Sequence, residues 1–321
     1  LSEFLNYSVG LKKAKEEAFE SDKVLFETLT QTQADSLKVL ASTLSLDSIV
    51  IEGYEQGDPQ IIIDHVMPIW EKVRNERLVY EIHFFKPPAT SFVNFSNFKS
   101  LGADVRSVRT DIQWITSSFE PSTHALMCKT FAGFRATYPI IGKNQEMLGG
   151  VSLGRKIDWV PSSIKTNTKR DSFLIYNKRA ANSLVGKYYD EFISDKIMVG
   201  EYLLANQTMP IKPELIPSID FYKEMQDIVI DNTTYSLNIF PIIDFNKATM
   251  GYLCTLNSLD DFHERFFERL VKNFFLILAT AIIIFLLTRR ETLLLLSKIQ
   301  EITATLSFRG HSCSALFAHS L

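Results

Sequence analysis

Cysteine is scarce in this sequence: there are three in 321 residues, Cys128, Cys254 and Cys313, far apart and none in a CxxC pair. That excludes a disulfide scaffold. Cys128 and Cys254 fall in different expected units, so no bridge between them is expected and each reads as a small buried side chain. The six histidines, at 65, 83, 124, 263, 311 and 319, form no HExxH and no paired metal-ligand spacing. There is no Walker loop, no GxGxxG after a strand and no GxSxG. Metal, nucleotide and triad chemistry therefore have no motif to rest on, and neither a cofactor nor a catalytic residue is expected. An excess of one charge is missing too: 34 Lys and Arg against 37 Asp and Glu leave 34 − 37 = −3. That gives no case for a nucleic-acid partner.

What is present is an ordinary globular composition, 46% hydrophobic and 22% charged, too apolar for a disordered chain. Aromatics reach 12%, with 24 Phe and 11 Tyr, which favours sheet packing over a bare coiled coil. At roughly 150 residues per domain the length suggests two folded units.

One long apolar run sets the context. Asn273 to Thr288 reads NFFLILATAIIIFLLT without a charge, is extended by Leu270 and Val271, and closes on Arg289 and Arg290. It is somewhat short of the ~20 residues that span a bilayer comfortably, but Lys272 can snorkel. A run apolar on every face that ends on a basic pair reads as a membrane helix; a buried core helix is the alternative. Arg265, Arg269 and Lys272 before it balance Arg289, Arg290 and Lys298 after it, so charge does not set the orientation. The chain begins LSEFLNYSVG, without Met or secretory signal, and reads as starting partway through a larger protein. The closing HSCSALFAHSL shows no helical pattern and reads as a truncated or altered tail.

Between the ends, residues 3–44 read as one long helix: Phe4, Leu11, Ala18 and Leu25 recur every seventh residue, and no Pro precedes Pro59. Two shorter helices, broken near Ser21–Asp22 with Asp22 as an N-cap, are the alternative. After Gly53 and Gly57-Asp58-Pro59 a second helix is expected over 59–76. The period then changes. LVYEIHFF, TSFVNF, HALMCKTF, GFRATYPII and EMLGGVSLG read as five strands, with Lys86-Pro87-Pro88-Ala89 as a turn and Gly142-Lys143-Asn144 as a hairpin. A helix at 157–167, the strand SFLIYN, a short helix KRAANSLVG capped by Gly186, a strand or helical turn at 201–207, and strands within 226–244 and 248–258 repeat the plan on a smaller scale. The fold class is α+β, with helices gathered on one side of each antiparallel sheet. The expected division is a stalk helix over 1–44, a membrane-distal unit over 45–160, a smaller membrane-proximal unit over 161–262, a membrane helix over 263–290 and a cytoplasmic segment over 291–321.

This order resembles the double Cache sensors, extracytoplasmic domains of bacterial receptors built from two PAS-like sheets on a long N-terminal helix, and within them double Cache domain 3. The matching residues are His83-Phe84-Phe85, Ser91-Phe92, Gly102 and Arg109, then Gly133, Arg135, Pro139 and Gly149. The chain departs from the family at Asn94 and Ser96, where Arg and His are common, and at Ala103 and near Ser152, where acids are common. The resemblance implies a ligand-sensing receptor segment in the inner membrane, its sensor region periplasmic, working as a homodimer. Its ligand would be a small organic anion or zwitterion, and its output a chemoreceptor, histidine kinase or diguanylate cyclase domain. The alternative is a membrane-anchored solute-binding or structural protein without output.

Candidate ligand contacts are Arg109, Arg135, Tyr138, His83, Arg106 and Tyr80. A guanidinium grips a carboxylate through two parallel hydrogen bonds. The structural alternative for Arg106 and Arg109 is an ion pair with Asp104 or Asp111. Strand alternation places Arg135 with Thr137 and Pro139, and Tyr138 with Phe134 and Ala136, so Arg135 and Tyr138 share a face only across a bulge. Few acids are evident to neutralise the arginines internally. Trp70, Trp114 and Trp159 are expected as packing aromatics.

Overall fold

The structure is a computed structural model and describes residues 2–107, 109–128, 131–181 and 187–317. Gly186, the expected cap, lies outside the described residues, as do the side chains of Phe4, Cys128 and Cys313. The chain divides after Leu259 into two compact units.

The first unit opens with α1 (Ser2–Leu46), one unbroken helix of 45 residues. At ~1.5 Å per residue it is about 67 Å long. Its two halves serve two different cores. Phe19, with Leu25, Phe26 and Leu29, packs into the core of the second sheet. Leu37, Ala41 and Leu44 pack into that of the first. Asp22 does not cap a break. It is fully buried in mid-helix, where it pairs with Arg170 and accepts hydrogen bonds from Asn238 (3.0 Å) and Thr255 (2.5 Å).

Next come α2 (Ser48–Gln56) and α3 (Pro59–Asn75). Asp47 caps α2, its carboxylate accepting from the backbone N–H groups of Ile49 and Val50. The sequence reading lacks α2. Gly53 looks like a breaker, yet a Cβ there would lie 2.7 Å from Ile62 Cγ1, so its bareness lets α3 dock against α2.

The first sheet contains β1 (Glu81–Lys86), β2 (Thr90–Asn94), β3 (Ser122–Cys128), β4 (Phe131–Ile141) and β5 (Met147–Lys156), in the order β2-β1-β5-β4-β3. Every pairing is antiparallel. Helices α1–α3 cover one face through Ile82, Phe84, Leu153 and Ala136. The other face is covered by α4 (Thr110–Ser118), whose Ile112 and Ile115 meet Phe85 and Ala89.

The second sheet follows α5 (Val160–Thr168). It contains β6 (Asp171–Asn177), then, after α6 (Lys178–Ala181) and α7 (Lys187–Ile193), β7 (Ile197–Val199), β8 (Tyr202–Gln207), β9 (Met225–Ile230), β10 (Thr233–Ile243) and β11 (Thr249–Ser258). Its order is β7-β8-β6-β11-β10-β9. Asp231 and Asn232, with φ of 48° and 68°, make the tight turn between β9 and β10; both residue types tolerate the left-handed region a two-residue hairpin demands. Cys254 is free and buried.

The second unit is α8 (Asp260–Phe317), a single helix. Over Phe262–Glu301 it is long and apolar enough to cross a membrane by length and composition. It also continues through residues 311–317, where no helix is expected from the pattern. The last Pro is Pro241, so no proline breaks it, and one Gly, at 310, costs a helix only about 1 kcal/mol.

Gly149 is a close-approach position. A Cβ there would overlap the Phe85 carbonyl oxygen and the Tyr54 ring, whose hydroxyl donates to the carbonyls of Phe85 and Gly150 at 3.0 Å each. Gly149→Val is expected to destabilise the first unit by about 1–3 kcal/mol or more. A thermal melt unchanged from wild type would show that the strand absorbs the branch.

Candidate functional site

The face of the first sheet turned away from α1–α3 carries a buried polar cluster. Alternation along β1 puts Glu81, His83 and Phe85 on this face. Pairing then builds two rows of side chains. His83 stands opposite Ser152, and Ser152 opposite Thr137. Glu81 stands opposite Gly154, Gly154 opposite Arg135, and Arg135 opposite His124. Gly154 leaves a gap in the second row. A Cβ there would overlap Phe131 and press on Arg135 Nη1 at 3.2 Å, so its absence lets Glu81 and Arg135 meet across β5. Their closest approach, Nη2 to Oε2, is 2.6 Å. The Arg135 guanidinium also lies 4.4 Å from the Phe131 ring centroid.

The segment leading into α4 brings the rest. Arg109 precedes the helix and Asp111 lies in its first turn. Arg109 donates to both Asp111 oxygens at 2.8 and 2.7 Å, and to the Ser152 hydroxyl at 2.6 Å. Thr137 donates to Asp111 at 3.0 Å. Asn94 donates to Glu81 Oε1 at 2.8 Å. His83 Nε2 is 2.9 Å from the Ser91 hydroxyl, and its Nδ1 is 3.4 Å from Arg109 Nη1. Arg135 and Asp111 are 0% exposed, and Arg109 and Glu81 4%.

Electrostatics balance this set. Burial pushes the Glu81 carboxyl up, but the Arg135 and Arg109 guanidiniums outweigh it and hold it at about 2. Burial raises Asp111 as well, and Arg109 outweighs that and holds it well below the usual carboxylate range. Burial drives the imidazoles of His83 and His124 down to about 4, the two arginines adding to the effect against Glu81 and Asp111. At neutral pH the cluster therefore holds two guanidiniums, two carboxylates and two neutral imidazoles, for no net charge.

Of the residues singled out in the sequence, the structure brings Arg109, Arg135 and His83 together. It does not bring the other three. Arg106 is exposed and pairs with Asp104 at 2.6 Å. Tyr138 lies on the opposite face, packed against the α1–α3 core, because the register from Arg135 to Tyr138 is continuous and no bulge turns it. Tyr80 is 40% exposed, edge-on to Phe131 at 4.9 Å and beneath Lys156. The expected shortage of acids is also corrected, since Glu81 and Asp111 supply one carboxylate per arginine. Glu81 was legible, being two residues before His83 on one strand. The pairing of His124 with Arg135 needs the strand register, which the sequence does not display.

Residues 12–263 match the family described as the double sensory domain of two-component sensor kinases, dCache_3. The chain belongs to that family. Among curated protein sequences, none matches it. Among solved structures, the periplasmic domain of Vibrio cholerae LuxQ aligns at 8% identity and a TM-score of 0.50, covering 75% of this chain and 99% of that one. The sensor domain of the V. cholerae histidine kinase DctB aligns at 12% identity and 0.47, covering 79% and 98%. The ligand-binding domain of the Campylobacter jejuni chemoreceptor Tlp3, in complex with 4-methylisoleucine, aligns at 12% and 0.38, covering 79% and 92%. At 8% identity the likeness to the LuxQ domain concerns the fold alone. The double sensory domain thus has its long helix in α1 and its two sensory sheets in β1–β5 and β6–β11, and it is a sensory rather than a catalytic family.

Proposed function

We propose that this chain is the ligand-sensing region of a membrane-anchored bacterial receptor, acting as a homodimer in the inner membrane with its sensory sheets in the periplasm. In this reading β1–β5 form the membrane-distal unit and β6–β11 the membrane-proximal one, with α8 crossing the bilayer to an output of histidine kinase, chemoreceptor or diguanylate cyclase type. The apolar α8 and the sensory family support the anchoring.

The observation that carries the ligand reading is the charge-balanced cluster under α4. Its ion pairs are exchangeable: a ligand carboxylate can replace Asp111 or Glu81 on a guanidinium, and a ligand ammonium can take the released carboxylate. A lone anion would add a net charge to a buried box, which is costly, whereas a zwitterion adds none. A small zwitterion is therefore the favoured ligand class. Its access requires α4 and the segment before it to open, and their closure over ligand would shift the population of helix arrangements passed on through α1 and α8.

Calorimetry of the full chain in nanodiscs, screening small zwitterions and dicarboxylates, tests this. Arg109→Lys and Arg135→Lys keep the charge and lose the fork. Each is expected to weaken the ligand found by about tenfold or more, a cost of roughly 1.5–3 kcal/mol. Unchanged affinity in both variants, with both folded, makes the cluster a structural keystone. Whole-cell labelling of a cysteine placed at Ser163 tests the topology, and labelling only after lysis would overturn it.

A further inference from the structure

A second site, separate from the cluster under α4, is a groove of about 760 Å³ at the junction of the two sheets. Its size falls within the ~300–1,000 Å³ usual for small-molecule sites. Its walls come from the end of α3, the ends of β1 and β5, the start of α5, and β8. Four cations line it: Arg74, Arg77, Arg155 and Lys156. Among the described residues none of the four has a carboxylate within 4.0 Å; the Asp195 carboxylate, paired with Lys196, acts on Lys156 from farther off. The one acid in the lining, Asp158, accepts a hydrogen bond from the Tyr176 hydroxyl at 2.8 Å.

Solvated surface cations usually swing freely, but three of these are seated on aromatic rings. Arg74 lies 5.5 Å from the Trp70 ring centroid, Arg155 lies 4.6 Å from that of Trp159, and Lys156 lies 4.3 Å from that of Tyr80. Such stacking fixes a cation without neutralising it. Trp159 adds a buried indole N–H with no acceptor among the described residues. Converging, pre-positioned positive charge with so little opposing charge is the signature of an anion site.

We infer that this groove binds a small soluble anion carrying at least two negative charges, of the phosphate or polycarboxylate class. The three aromatic faces already carry cations, so the rings act as pedestals and the ligand is read by charge rather than by stacking. The groove is also wired to the long helix, because Arg155 donates to Gln33 of α1. An anion here therefore touches both sheets and a partner of α1 at once, which makes it a second input to the same sensory unit.

The test uses the full chain in nanodiscs of neutral lipid, with pyrophosphate and citrate as probes and sodium chloride of matched ionic strength as the control. The expected result is a saturable rise in melting temperature with half-effect at or below about 1 mM for at least one probe. Which probe acts assigns the phosphate or the carboxylate class. The effect should weaken as salt rises. Arg74→Gln/Arg77→Gln, with both side chains exposed, and separately Lys156→Gln, should each lower the affinity about tenfold. Arg106→Gln, at an exposed ion pair outside the groove, should leave it unchanged. No saturable shift with either probe overturns the inference. So does binding that survives in both groove variants, which would place the anion elsewhere, for example in the cluster under α4.

Discussion

Asp111→Ala is expected to cost the sensory unit about 3–5 kcal/mol, because it leaves two buried guanidiniums, Arg109 and Arg135, to share the one carboxylate of Glu81. Arg109 would keep its hydrogen bond to Ser152 but lose both bonds to Asp111. At 4% exposure, water cannot replace them. Thr137 would lose an acceptor at the same time. For a unit of this size the loss should lower the thermal midpoint by on the order of 10 °C. The cause can be separated from simple cavity formation. Arg109→Leu/Asp111→Leu removes both charges, and such apolar replacements of buried pairs are often close to neutral. The double variant should therefore be more stable than Asp111→Ala, and far more stable than the sum of its single changes. If Asp111→Ala loses less than about 1 kcal/mol in denaturant titration, the pair is not the keystone the geometry implies.

The same cluster shows where sequence reading stops. Period and composition expose α1, whose first half packs on the core of the second sheet and whose second half packs on that of the first, and they expose the strands through alternation. They do not expose α2. It is nine residues long, and its Gly53 carries two opposite meanings, breaker or contact surface, that only the position of Ile62 separates. The polar face divides in the same way. Strand parity alone places Tyr138 away from Arg135, and the register bears that out. Glu81 follows from His83 by parity too, and Asp111 stands two residues from Arg109. Thr137 follows from Arg135 by the same parity, whereas Ser152 and His124 join them only through cross-strand register. Arginines were the conspicuous residues and their counterions the inconspicuous ones. That is why the sequence implied spare positive charge and the fold contains none at this face.

Acidification tests that balance as a whole. Stability is expected to be flat at and above neutral pH and to fall as the pH drops from about 6.5 toward 4. His83 and His124 have folded values of about 4 against an ordinary 6.5. Between those two values the unfolded chain binds protons that the folded chain refuses. The stabilising contribution is thus fully present above 6.5 and is lost as the pH falls through the folded value. Each imidazole accounts for roughly 3 kcal/mol by this linkage. The groups facing them act in both directions: Glu81, Asp111 and Asp244 draw a proton toward the histidines, while Arg109 and Arg135 repel it. The carboxylates add a second, lower phase of the same sign. Glu81, held at about 2 against an ordinary 4.5, and Asp111, held lower than its ordinary 3.8, stabilise above those ordinary values and lose that contribution below them. Urea midpoints measured from pH 7.5 down to 4 read the first phase directly. His83→Gln/His124→Gln should flatten it and leave the lower one. A stability that is level down to pH 5 in the wild-type chain would mean that the imidazoles titrate freely, and that α4 does not seal the face of the sheet.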